Sequence, residues 1–164
     1  MTWWKKKKGA STSVEILQSL AEEGAEVCEL RPGLSYEVIA ESGAELDCEL
    51  PQDLRQVLSF TNGADLFGRA SVIFGRHHGS PPYSFGDLVK ATREFRRTAH
   101  LDVSQIVFGQ RDTGQLFVLD CVPGQREVRY YVLDIEEGEK SQERSSLANW
   151  LLEEISFNRS VLSV

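Results

Sequence analysis

Apolar positions recur at helical spacing through the first third of the chain. Val14, Leu17 and Leu20 or Ala21 predict a helix from Ser13 to Glu23, with Gly24 as its stop. After a break at Arg31-Pro32-Gly33, Tyr36, Ile39, Gly43 and Leu46 form a second stripe, weakened by a glycine in its interior. The segment from Leu50 to Gly63 is the most complete helix pattern. Pro51 suits the first helical position, where its missing N–H would be unpaired anyway. Leu54, Val57, Leu58 and Thr61 make one buried stripe, and Gly63 can take a left-handed stop.

The pattern then changes period. Ala70 to Gly75 is a compact apolar run of strand length, and the glycines and prolines from Gly75 to Pro82 read as an exposed loop. Ser84-Phe85-Gly86-Asp87 predicts a helix cap through the serine oxygen, with Leu88, Ala91 and Phe95 following at core spacing and an end near Arg97. From Gln105 the alternation is twofold. Gln105 to Gly109, Gln115 to Asp120 and Glu127 to Asp134 are strands separated by Asp112-Thr113-Gly114 and Pro123-Gly124, which predicts an antiparallel meander. Leu147, Trp150, Leu151 and Ile155 define a closing helix that sets Trp150 on the sheet. The division that results is a flexible basic segment over 1–12, one domain over 13–155 and a tail over 156–164.

With 164 residues and 41% hydrophobic content, the chain has material for one real core. The longest apolar runs are strand-sized, far short of the ~20 residues that span a bilayer, so no membrane span is expected. Met1 to Lys8 carries two tryptophans and four lysines but no apolar stretch behind them, so it does not read as a secretory signal. Cys28, Cys48 and Cys121 are odd in number and lack C-x-x-C spacing, which argues against a disulfide framework or a zinc knot and for a cytoplasmic location.

Charge is more informative than its net value of −7. Between Val14 and Asp53 eleven acidic residues face Arg31 alone, a local balance of −10. Such a surface repels nucleic acid and attracts a cationic protein. Glu37, Glu41 and Glu45 lie at i, i+4 and i+8, one ridge opposite the apolar stripe; joined by Glu22, Glu23 and Glu26 they are the candidate partner-binding residues. The plainer reading of the same ridge is a solvated face with cations nearby in space. Lys90, Arg93, Arg96 and Arg97 form a basic patch able to pair with the acidic helices of this molecule or of a second copy. His77, His78 and Tyr83 of the loop from Gly75 to Gly86 complete the candidate interface.

Catalytic and cofactor signatures are not found. The histidine pair lacks metal-ligand spacing, there is no G-x-S-x-G elbow, and the stretch Gly109 to Gly114 lacks the lysine and helix of a phosphate loop. No cofactor, no metal and no catalytic residue is therefore expected, and oligomeric state is not read from the chain.

Taken in order, Pro32-Gly33-Leu34-Ser35-Tyr36, Leu50-Pro51, the helix closing on Asn62-Gly63, Phe74-Gly75, Phe108-Gly109, Phe117-Val118-Leu119-Asp120 and a final helix with Trp150 resemble the SUKH superfamily, from Leu34 to Ile155. That group unites fungal cell-wall-synthesis regulators with bacterial toxin-immunity proteins. The resemblance implies an α+β fold of several helices on one antiparallel sheet of about six strands. It also implies a non-catalytic protein-binding module, either an immunity protein neutralising a toxin domain such as a basic nuclease, or a regulatory or scaffolding module with no toxin partner. The "LP", Asn-Gly and Phe-Gly residues are assigned to structure, not to the interface.

Overall fold

The computed structural model describes residues 11–76, 86–121 and 127–162. The basic stretch Trp3 to Lys8, the Pro123-Gly124 turn and His77, His78 and Tyr83 lie outside them. The elements run α1 (Ser13–Ala21), β1 (Cys28–Leu30), α2 (Tyr36–Glu45), α3 (Gln52–Phe60), β2 (Ala64–Leu66), β3 (Ser71–Ile73), α4 (Leu88–Thr98), β4 (Gln105–Arg111), β5 (Leu116–Asp120), β6 (Arg129–Asp134), β7 (Glu139–Arg144) and α5 (Leu147–Leu162). All seven strands join one sheet in chain order, each antiparallel to the next. The fold is α+β, with one strand more than expected.

Three strands had no usable signature. β1 and β2 are three residues each, too short to show a period, and β7 reads Glu-Lys-Ser-Gln-Glu-Arg with no apolar alternation. β7 exists because β6 offers it a ladder: Asp134 pairs with Glu139 and Leu133 with Lys140 across the turn that Asp134 stabilises by accepting from the N–H groups of Glu136 and Glu137.

The core forms where β4, β5, β6 and α5 meet. Trp150 is fully buried and stands edge-on to Phe108 and Phe117, at 5.0 and 4.7 Å between ring centroids, while Tyr130 meets Phe108 edge-on at 5.8 Å. Leu147, Leu151 and Ile155 are buried beside it as the spacing requires. α5 continues to Leu162 through the stretch expected to be a tail, because Asn158 is buried there: its amide donates to Ser71 Oγ at 2.9 Å and to the Glu154 carbonyl at 3.0 Å. Glu154 itself is buried and takes two hydrogen bonds from Arg111 (3.0 and 2.7 Å) and one from Ser71.

Two helix ends differ from expectation. α3 begins at Gln52 with Pro51 as its cap, and ends at Thr61, whose backbone is already extended; Gly63, at φ +79°, serves the turn into β2 instead of stopping the helix. There its missing Cβ matters, since one would stand 2.7 Å from the Ile73 carbonyl oxygen. α4 is capped by Asp87, whose Oδ1 accepts from the N–H groups of Val89 (3.0 Å) and Lys90 (2.9 Å), and the serine of the expected cap, Ser84, lies outside the described residues.

Candidate functional site

The exposed side of α2 is the most chemically distinctive surface of the fold. Ser35 starts the helix by accepting from Val38 N–H, and Ile39, Ser42 and Gly43 are buried. Turned outward are two parallel ridges at i, i+4 spacing, Glu37–Glu41–Glu45 and Tyr36–Ala40–Ala44, all exposed. Gly43, an apparent weakness in sequence, is where the chain folds back on the helix: a Cβ there would lie 2.6 Å from the Cys48 carbonyl oxygen. The returning segment and α2 bound an open groove of about 460 Å³, lined by Ile39, Ala40, Ala44, Leu50, Tyr36 and Asp47 with Cys48, Glu49 and Arg55.

The ridge is neutralised at one end only. Glu45 lies 3.6 Å from Arg76 and 3.5 Å from Arg93. Arg93 also donates to the Glu45 carbonyl and Arg96 to that of Leu46, placing cations on the last carbonyls of α2. The basic patch of α4 thus cross-pairs within the molecule, as one of its two readings required. Arg97 turns to Glu94 at 2.7 Å. No cation among the described residues comes within ion-pair distance of Glu37 or Glu41.

Arg76 ties this helix to the base of the loop that follows it. The buried guanidinium donates through Nε to Asp87 at 3.2 Å and through Nη1 to Ser42 Oγ at 2.8 Å, and Ser42 donates to the Val38 carbonyl. Asn62 grips the backbone of the same residue, accepting from its N–H and donating to its carbonyl at 2.8 Å. Gly75 N–H donates to the Gly86 carbonyl and Leu88 N–H to that of Gly75, so both ends of the loop are stapled beside α2. The Asn-Gly motif therefore positions a surface without forming it.

The other predicted glutamates sit elsewhere. α1 packs on α3 and α5, whereas α2 packs on α3 and α4, so α3 is the shared neighbour and the acidic set divides into separate patches. Glu22, Glu23 and Glu26 are exposed at the end of α1, and Glu23 is held by Arg159 of α5 at 2.7 and 2.9 Å. Sequence reasoning missed the groove and Arg76. The one available signal for Arg76 was an arginine immediately before, and an aspartate shortly after, a loop rich in glycine and proline.

Cys48 opens onto the groove and belongs to a cluster of thiols. Its Sγ donates to the Glu49 carbonyl at 3.5 Å, and Cys121 Sγ donates to the same oxygen at 3.2 Å. Burial, reinforced by the hydrogen bond and charge of Cys121, pushes the Cys48 thiol up to about 12, and burial with the charge of Asp65 does the same for Cys28. Both stay protonated at neutral pH. Iodoacetamide at about pH 8 is expected to alkylate these two residues at least ~100-fold more slowly in the folded chain than in urea, as read by peptide mass mapping. Equal rates would contradict the burial described.

Among the described residues no three or more His, Cys, Asp or Glu side chains converge as a metal site, and no helix is long and apolar enough to cross a membrane. Fold and surface together define a helix-covered antiparallel meander with one acidic, groove-bearing helix left outward. The chain belongs to the SMI1/KNR4 family (SUKH-1), whose model matches residues 33–153. A comparison with curated proteins returned no match.

Proposed function

We propose that this chain is a non-catalytic protein-binding module that acts as an immunity protein, neutralising a bacterial toxin domain of basic character by covering it with the outward face of α2. The observation that carries this reading is the pairing of an exposed acidic ridge, Glu37 and Glu41, with an open groove on the same helix. A ridge of uncompensated carboxylates draws in a cationic surface and orients it, while the apolar part of the face supplies affinity once water is expelled. Membership of the SUKH-1 family supports the same conclusion. So does the chemistry of the groove's own thiol: Cys48 is held protonated, the opposite of what a nucleophile needs.

The test is co-expression with basic toxin domains, taken first from any toxin gene that neighbours this chain's gene. Wild type is expected to restore growth, and the double variant Glu37→Lys/Glu41→Lys to lose protection while keeping its thermal midpoint. The same variant should slow association by about tenfold or more at low salt. Failure of wild type to protect, with a host protein still retained through the ridge, would replace the toxin by a regulatory partner.

A further inference from the structure

We propose that the groove beside α2 is the seat of an apolar side chain carried on a basic segment of the partner. This rests on the protein-binding reading above and names the chemistry of what is bound. The buried Ile39 and Leu50 make its apolar floor, and Ala40 and Ala44 offer only methyl groups along one wall. Space exists there because those two positions are alanine; a large side chain at either of them would fill it. Tyr36 stands at the end of the same ridge with 77% of its surface exposed, a large ring left in water on a helix otherwise edged with carboxylates. Rigid tyrosines of this kind are frequent energetic anchors of interfaces.

Charge selects the rest of the occupant. Asp47 and Glu49 line the groove, and Glu37 and Glu41 occupy the neighbouring ridge, against a single lining cation, Arg55, which lies 3.8 Å from Glu49. Arg96, donating to the end of α2, acts on Asp47 and Cys48, so the negative excess lies toward Glu37 and Glu41; it favours a segment whose anchor is flanked by lysine or arginine and repels an acidic one. The volume, about 460 Å³, lies within the roughly 300 to 1,000 Å³ of small-molecule pockets, so an aromatic or branched side chain has room there.

The full chain, labelled with nitrogen-15, would be titrated with a synthetic peptide of alternating leucine and lysine, and separately with one of leucine and glutamate. The basic peptide is expected to move the amide resonances of Tyr36, Ala40, Ala44 and Cys48, and the acidic one to leave them in place. Ala44→Trp, which fills the groove from an exposed position, should weaken the basic peptide at least about tenfold with an unchanged circular dichroism spectrum, and Tyr36→Ala should weaken it independently. Shifts mapping elsewhere, equal affinity for both peptides, or wild-type binding by both variants would overturn the assignment. In the co-expression assay, protection kept by the groove variants but lost by Glu37→Lys/Glu41→Lys would remove the groove and spare the protein-binding reading. Protection kept by all of them would remove that reading too.

Discussion

Replacing Arg76 by methionine is expected to destabilise the fold by about 3 kcal/mol or more and to loosen the loop base next to α2. The guanidinium is buried between Asp87, Ser42 and Glu45, and Asp87 is itself fully buried. Methionine matches the length of the stem but removes the guanidinium that donates to the buried carboxylate of Asp87 and to Ser42 Oγ. Removing one member of a buried pair costs more than the pair contributes, because the other charge stays behind. The second substitution makes this specific. Asp87→Asn retains an oxygen able to cap α4, so adding it to Arg76→Met should recover much of the lost stability, and a double-mutant cycle from urea midpoints would report the coupling. Additive losses would show that the two residues do not act as a unit.

Trp150→Ala should cost about 3 to 5 kcal/mol, enough to threaten folding in a domain whose whole stability is of the order of 5 to 15 kcal/mol. The indole is fully enclosed and touches Phe108 and Phe117 edge-on, and its removal leaves a cavity that sheet and helix, each held by its own hydrogen bonds, cannot close. Trp150→Phe should be far milder. It keeps an aromatic edge for both rings, and it deletes an indole N–H that has no hydrogen-bond acceptor in the core, a group whose burial is a cost in itself. Thermal midpoints check the pair: the alanine variant should fall by roughly 10 °C and the phenylalanine variant by less than half of that. Equal losses would mean that the core does not use the rings as described.

Much of the fold was legible because burial leaves a pattern. α1, α3 and α5 carry apolar stripes, and β4 to β6 stand out as short apolar runs; their expected twofold alternation is overturned, since both faces are covered and consecutive residues such as Leu116 to Leu119 are all buried. β1, β2 and β7 were not legible, since strands of three residues or of wholly polar residues are fixed by the neighbour they pair with, not by their own pattern. The cap of α4 was hidden for a related reason: Asp87 is held by the buried Arg76, a pairing made by packing and not by the local pattern.

The interface residues divide the same way. Glu37, Glu41 and Glu45 declare a shared face through spacing alone. Nothing in that spacing says that Glu45 will be met by Arg76 and Arg93, or that Glu23 will be met by Arg159 from the far end of the chain, because these pairs are made by packing. The groove was hidden for the same cause. Tyr36 reads as part of the apolar stripe with Ile39, Gly43 and Leu46, yet it is exposed, and Ala40 and Ala44 look like ordinary helix positions until the segment from Asp47 to Leu50 is seen folding back against them at Gly43.

The central claim is that the carboxylates of α2 exist to meet a cationic macromolecule, and the dependence of association rate on ionic strength tests it most directly. With the toxin domain as partner, the rate should fall steeply as salt rises from low to physiological strength, and Glu37→Lys/Glu41→Lys should flatten that slope. A rate that is flat with salt for the wild-type chain would contradict the account.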